Sequence, residues 1–334
     1  MSNVGDQASV PVVGIDDGYA DTKIYGAGGY VIPSRARLMA HGDDVHSSIA
    51  GLESRGIYLV HDKYIQVDPA IDGDDTCVDG YHGGPLNAAV IHQALLTAKY
   101  SGKTVDVAVG LPFGAYFLAD GSVNQPLIDA KIANLRLPIS RVDGRPLASI
   151  RDLKIYSQTV SAYIHHVVDS SGRVSLPEGP VGIVDLGGRT TDLVVVLPPR
   201  GFDFARSTSL SMGLLDVNRL LADFLRDECG VERPQSQWVQ FAVRKGMFVN
   251  GSVQIDVSDK VAALKAEVSG QIVAKIKQLW GDGSGLEKVL FAGGGCDALP
   301  SVHEDWGFGD VVSAPAYANA KGMRKYMRFI DVER

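Results

Sequence analysis

The sequence predicts an α/β fold built from two duplicated halves that face each other across a cleft. Strands alternate with helices along the chain, which points to layered mixed sheets. A strand–Asp–x–Gly–turn–strand unit occurs twice. The two copies align without a gap at an offset of 169 residues (16 to 185), half of a 334-residue chain.

The elements follow in order. Residues 10–15 and 22–25 read as strands around an Asp16-Asp17-Gly18 turn. Residues 57–60 and 64–67 form a second hairpin, turned at His61-Asp62-Lys63, and the acidic, Gly-rich stretch 68–84 reads as loop. Pro85 opens a helix over 86–99, a position where its missing N–H is harmless. Residues 104–110 alternate as a strand that stops at Leu111-Pro112. A strand over 151–157 runs directly into a helix over 158–168, and 181–185 pairs with 193–197 around a Gly-rich turn. A long helix over 214–229 stops at Gly230. Asn250-Gly251 turns a hairpin within 246–257. Residues 258–280 form one helix with Val261, Leu264, Val268, Ile272 and Ile276 on one face, a packing stripe. Residues 288–292 are a buried strand entering Gly293-Gly294-Gly295, and 317–329 closes as helix.

Composition bounds what such a chain can do. The length suits two domains of roughly 100–200 residues each, and a 45% hydrophobic, 21% charged sequence can bury sizeable cores. No low-complexity linker separates the halves. A net charge of −7 argues against direct coating of DNA or of an anionic membrane. Cys77, Cys229 and Cys296 are far apart and form neither a zinc spacing nor a disulfide framework. There is no leader-like apolar run and no stretch of about 20 apolar residues, so a reducing cytoplasm is the expected setting, without membrane insertion.

The repeat carries readable chemistry. With VVGIDDGYADTK (12–23) laid over VGIVDLGGRTTD (181–192), Asp16 falls on Asp185, Gly18 on Gly187, Thr22 on Thr191 and Lys23 on Asp192. Gly at these turns lets backbone N–H groups approach phosphate oxygens. An Asp at the strand end can hold Mg²⁺ through water, since magnesium keeps much of its hydration shell and prefers hard oxygens. Lys23 adds positive charge against phosphate. Either copy alone would read as an ordinary tight hairpin; two gapless copies favour a paired site.

Other candidates carry less. Asp72-Gly73-Asp74-Asp75 lacks the Gly of a calcium loop at position six, where Cys77 stands, and has no closing Glu. His165-His166 has no ligand partners at metal spacing, His303-Glu304-Asp305 reads as an exposed turn, and no GxSxG elbow is present.

At the paired loops the chain resembles the superfamily of actin, sugar kinases and heat-shock ATPases. Five motifs occur in order: GIDDGYADTK (14–23), KIYSQTVSAY (154–163), VDLGGRTTD (184–192), FAGGGCDALP (291–300) and YANAKGMRKY (317–326). Within it the chain is similar to the ParM (StbA) plasmid-segregation actins. The initial IDDG, LNAAVIHQALLTA (86–98) ahead of VDVAVGLPF (105–113), and NLRLPI (134–139) carry that likeness, which spans nearly the whole chain.

The resemblance implies an actin-like α/β fold, two duplicated ribonuclease-H-like domains around a nucleotide cleft. Domain I would cover 1–160 with a small subdomain inserted at about 33–85. Domain II would cover 161–334 with one at about 219–270, and the helix at 317–329 would pack back on domain I. The implied cofactors are ATP or ADP and Mg²⁺. Asp185 is implied to act at the magnesium and the attacking water, and Asp16 to help place the hydrated metal. Asp17, Gly18, Tyr19 and Lys23 would meet the phosphates, with Gly187, Gly188 and Arg189 as the facing loop. Asp192 would either order that loop or face the nucleotide. Gly293, Gly294 and Gly295 would pass under ribose and base, and base contacts are expected around 213–218, from Gly213 on, and 264–277.

Two residues depart from the family pattern. Gln158 stands where ParM proteins usually carry Glu, as actin's own Gln does. A carboxylate could be a general base, whereas an amide orients water. Arg189 replaces a residue that is commonly small. The implied function is an ATPase that polymerises with ATP and Mg²⁺ and segregates plasmid DNA through a small DNA-binding adaptor at a centromere-like site. Self-association is expected; direct DNA binding is not. Two alternatives belong to the same superfamily: a small-molecule kinase, for which no acceptor-loop signature is seen, and a chaperone-type ATPase, for which no peptide-binding module follows the last motif.

Overall fold

In a computed structural model, residues 9–39, 56–71, 80–199, 201–304 and 309–331 are described. The first half runs β1 (Val12–Asp17), β2 (Asp21–Tyr25), β3 (Gly29–Pro33), β4 (Ala36–Leu38), β5 (Gly56–Val60) and β6 (Lys63–Val67), then helix α1 (Pro85–Thr97). It continues through β7 (Thr104–Leu111), α2 (Phe113–Tyr116), α3 (Gln125–Leu135), β8 (Ile139–Arg141), β9 (Ser149–Ser157) and α4 (Gln158–Val167). The second half runs β10 (Val181–Leu186), β11 (Thr191–Val196), β12 (Thr208–Leu210), α5 (Leu214–Asp227), α6 (Ser236–Lys245), β13 (Met247–Asn250) and β14 (Val253–Asp256). It ends with α7 (Ser258–Trp280), β15 (Lys288–Ala292), α8 (Gly295–Ala298), α9 (Ser301–Glu304), β16 (Gly309–Val311) and α10 (Ala318–Lys325).

The duplication read in the sequence is a duplication of topology. One five-stranded sheet has the order β3-β2-β1-β7-β9 and the other β12-β11-β10-β15-β16. In each, the Asp-bearing strand pairs antiparallel with the strand that follows it and parallel with the next long strand, β7 or β15. The Asp-bearing strands β1 and β10 therefore occupy the centre of their sheets. Their alternating apolar residues, Val13 and Ile15 in β1 and Ile183 in β10, are fully buried.

Each half carries an accessory layer. In the first half, β4, β6, β5 and β8 form a four-stranded sheet. The small sheet thus draws its last strand from beyond the 33–85 stretch. Helix α1 lies between the two sheets, touching β2 on one side and β4, β5 and β6 on the other. This explains why 87–96 is buried on all faces and has no polar stripe. In the second half, α5, α6 and α7 pack with the β13–β14 hairpin, and the α7 stripe of Val261, Leu264, Val268, Ile272 and Ile276 goes into that core.

Helix α10 packs on α4, β1 and β7. Arg324 Nε donates to the Val12 carbonyl at 2.9 Å. A side chain at Gly14 would run into the Ala320 backbone, and one at Gly322 into the Ser161 backbone. The chain then widens into a π-helical turn, Tyr326–Ile330.

Several expectations shift. Asp16 and Asp17 belong to β1, so the first turn is Gly18-Tyr19-Ala20. Within 68–84, Tyr81–Gly83 forms a 3-10 turn, while Asp72–Asp75 and Cys77 lie outside the described residues, as does Asp305. Helices α3 and α6 have weak sequence signals, because Pro126 and the polar face of 236–245 obscure their periodicity.

Candidate active site

Both Asp-Gly loops leave the C-terminal ends of the central strands and open onto one cleft. Asp16, Gly18, Tyr19 and Lys23 line it from the first half. Asp185, Gly187, Gly188, Arg189, Asp192, Gly293 and Gly294 line it from the second, and Gln158 enters at the start of α4. The loops touch across the cleft. The Arg189 guanidinium stands 5.0 Å from the Tyr19 ring centre, and a Cβ on Gly188 would come within 2.7 Å of Ala20 Cβ. Only glycine fits there.

Two buried carboxylates dominate the electrostatics. Gln158 Nε2 donates to Asp16 Oδ1 at 3.0 Å, and Lys23 Nζ stands 3.8 Å from Asp16 Oδ2. Asn319 Nδ2 donates to Asp185 Oδ2 at 2.9 Å. Burial raises both carboxyls above their ordinary range; Lys23 opposes this at Asp16. Burial, then the Asp16 and Asp192 charges, push Asp185 up to about 7. Crowded buried carboxylates of this kind need a cation between them to ionise together.

The residues present fit a hydrated Mg²⁺. The donors are hard oxygens, and the buried Asn319 Oδ1 and Asp192 Oδ1 have no hydrogen-bond partner in the protein. Among the described residues no group of three or more His, Cys, Asp and Glu side chains is arranged to hold a metal ion. Attachment through water, with phosphate oxygens completing the shell, is what this donor set can offer.

Three expected ligands sit behind the lining. Asp17 is fully buried beneath the first loop and does not line the cleft. Its Oδ2 accepts from Lys131 Nζ at 2.6 Å and Asn87 Nδ2 at 2.6 Å, and lies 3.2 Å from His82 Nδ1. Gly213 caps α5, where the Leu214 and Leu215 N–H groups bond the Gly187 and Gly188 carbonyls at 3.2 and 2.7 Å and hold the second loop. Gly295 packs on Leu186. Asp192 Oδ2 accepts from the Phe113 N–H and the Thr159 hydroxyl, both at 2.9 Å, which ties β11 to α2 and α4.

Beside the second loop, an open pocket lies between α5 and α6, lined by Leu215, Asn218, Arg219, Ser236, Val239 and Gln240, with Arg189 at its edge. The expected base-contacting stretch 213–218 borders this space, whereas Leu264, Val268, Ile272 and Ile276 of α7 are turned into the core. Sequence reasoning missed Asn319, Lys131, His82 and Thr159. Asn319 and Thr159 stand inside motifs quoted above; Lys131 has no local signal.

A duplicated five-stranded plan with two Asp-Gly loops closing on one cleft defines the actin-like class of fold. Residues 68–169 match the family model for the N-terminal part of the plasmid segregation protein ParM, and residues 183–304 that for the C-terminal part of the archaeal actin homologue MreB-like family. The first half is thus similar to ParM/StbA and the second to the archaeal MreB-like actin homologues.

Solved structures agree on the fold. The archaeal actin homologue Ta0583 superposes with a TM-score of 0.76 at 19% identity, covering 96% of this chain and 99% of its own. The same protein in complex with ADP gives 0.75 at 20% identity over equal coverage. ParM in a 15-stranded filament from Clostridium botulinum gives 0.76 at 17%, again covering 96% and 99%. Among curated proteins, the chaperone HscA of Klebsiella pneumoniae (strain 342) is 26% identical over 218 residues, 62% of this chain and 32% of HscA. HscA of Escherichia coli O7:K1 is 28% identical over 134 residues, 38% of this chain and 21% of that protein. The chain thus spans a third or less of the length of these relatives.

Proposed function

We propose that this chain binds ATP with Mg²⁺ between its two Asp-Gly loops, hydrolyses it, and uses the cycle to build and dissolve filaments that segregate plasmid DNA. The observation that carries this reading is the single cleft in which Asp16, Lys23, Gln158 and Asp185 converge from both halves. The N-terminal ParM match and the ADP-bound and filamentous structural neighbours support it.

The residues divide the work. Phosphoryl transfer passes through a loose transition state, so positioning and charge do most of the catalysis. Gly18 and Gly188 bring backbone N–H groups to the phosphates, Gly187 keeps its own on the Thr190 carbonyl and so shapes the turn, and Lys23 adds positive charge. A bound Mg²⁺ supplies neutralisation of phosphate charge. Asp185 polarises the attacking water and receives its proton, and the Gln158 amide orients that water. Closure of the cleft on ATP favours the polymer, and hydrolysis loosens it. The acidic chain reaches DNA through a small basic adaptor, and the cycle runs in the cytoplasm. Among the described residues no helix is long and apolar enough to cross a membrane.

Light scattering and pelleting of the purified chain with ATP and Mg²⁺ test the reading. Polymer that forms with ATP and disperses as phosphate is released is the expected result. Absence of polymer across a broad protein range would overturn the filament role. The HscA likeness favours one second reading, a chaperone-type ATPase: turnover stimulated by an unfolded client, without polymer, would select it.

A further inference from the structure

Asn319 has no part in the mechanism above, yet it stands between the two halves at the cation site. It lies at the start of α10, is 4% exposed, and lines the cleft with Asp16, Lys23 and Asp185. Its Nδ2 donates to Asp185 Oδ2. With the amide nitrogen donating to Asp185, the Oδ1 of the same amide makes no bond to that carboxylate. That oxygen is buried and unpartnered within the protein. Buried acceptors in native proteins have partners as a rule, because an unpaired one loses its hydration without compensation.

The oxygen is also held in place. Arg324 fastens α10 to β1 through the Val12 carbonyl, and the close approach of Gly14 to Ala320 leaves no slack. The Asn319 backbone therefore moves with β1, which carries Asp16, while its amide reaches Asp185 on β10 of the other half.

We infer that Asn319 is a positioning residue of the cation site: its N–H fixes Asp185, and its Oδ1 accepts a hydrogen bond from a water of the hydrated divalent cation bound with nucleotide. The inference rests on the nucleotide reading above. It makes the cation a tie between the halves, contacted by one side chain that is bonded to both. Groups that orient a metal's immediate ligands typically contribute about 10–100-fold to its affinity.

Mn²⁺ serves as the probe, with the free ion counted by electron paramagnetic resonance in the full chain carrying one equivalent of ADP. Asn319→Ala should weaken Mn²⁺ binding about tenfold while ADP affinity in EDTA stays within about twofold. Asn319→Asp keeps the oxygen and loses the N–H, so it should bind Mn²⁺ at least as tightly as the native chain. Native affinity in Asn319→Ala, or an equal loss in Asn319→Asp, overturns the inference; the latter reduces Asn319 to a prop for Asp185. The aspartate variant keeps the native side-chain volume, so it decides the point even where the alanine variant does not fold. A native chain that takes up no Mn²⁺ with ADP overturns the nucleotide reading itself, and this inference with it.

Discussion

After its cleft-facing Asp, the first loop places Asp17 and the second, at the equivalent position, places Leu186. Both side chains are buried beneath their loops. Leu186 packs in the apolar core of the second half and supports the glycine turn at Gly293–Gly295 by contact alone. Asp17 instead gathers Lys131 from α3, Asn87 from α1 and His82 from the turn before α1, while Lys131 also bonds the Gly110 carbonyl at the end of β7 at 2.7 Å. Burial alone would raise the Asp17 carboxyl; Lys131 and His82 outweigh it and hold it at about 2. Directly beneath the turn the support is thus directional charge in one half and apolar packing in the other, where the Leu214 and Leu215 N–H groups hold the loop carbonyls in addition. Directional bonds tie the first loop to α1, α3 and the turn before α1; Leu186 ties the second to its own core.

The largest expected effect separates the chemistry of the loops. Asp185→Ala should cut phosphate release by about 10²–10⁴-fold, the usual worth of a positioned acid–base group, while ADP still binds. Normal turnover in this variant would remove the hydrolytic assignment of the second loop. The next effect concerns the supports. Lys131→Met leaves Asp17 buried without its countercharge and should cost about 3–5 kcal/mol in urea unfolding. Leu186→Ala should cost a comparable 2–5 kcal/mol through the cavity it leaves. Rescue tells them apart. Adding Asp17→Asn to Lys131→Met should recover more than half the loss, because the uncompensated charge is gone. No recovery would mean that the pair holds the loop by shape alone.

This contrast also shows what was legible in the sequence. The duplicated sheets follow from local signals: apolar strands bounded by Asp-Gly turns, and helices with caps such as Pro85 and Gly230. Most of the cleft lining follows from the repeat, because a loop at the end of a central strand needs no tertiary information to be placed. The supports do not follow. Asp17 reads as a phosphate-loop residue until Lys131, 114 residues away, is seen to close on it. Asn319 sat within a recognised motif, but only the crossing of α10 over β1 shows that it faces Asp185. The small sheet's use of β8 is likewise a long-range pairing, of Tyr58–Val60 with Ile139–Arg141, which no local pattern announces.

Gln158 belongs to the first loop's side of the cleft, since it follows the end of β9 and bonds Asp16 at the same end of the same sheet. Gln158→Ala should slow turnover about tenfold, the scale of one hydrogen bond to a charged group, with ADP affinity within about threefold. Retained native turnover would break its water-orienting role.

The smallest effect is one of stability against pH, and there the cleft-facing Asp185 and the supporting Asp17 should have opposite signs. The Asp185 carboxyl titrates near 7 when folded, against an ordinary 3.8, so between these values the native state holds a proton that the unfolded chain has lost. Stability therefore falls as pH rises through this window, and the cost is fully present above 7. In EDTA and without nucleotide, Asp185→Asn should raise the melting temperature at pH 8 by at least about 2 °C, a change on the order of 1 kcal/mol for domains of this size, with the gain vanishing toward pH 4. Asp17 runs the other way. Its folded carboxyl is held at about 2, so the charge contributes stability above its ordinary 3.8 that is lost as pH falls through 2. Asp17→Asn should lower the melting temperature at pH 8, and that penalty should shrink below pH 4. Equal signs for the two substitutions would mean that the cleft carboxyl and the buried support share one electrostatic environment, and the reading of Asp17 as a charge-compensated support would fall.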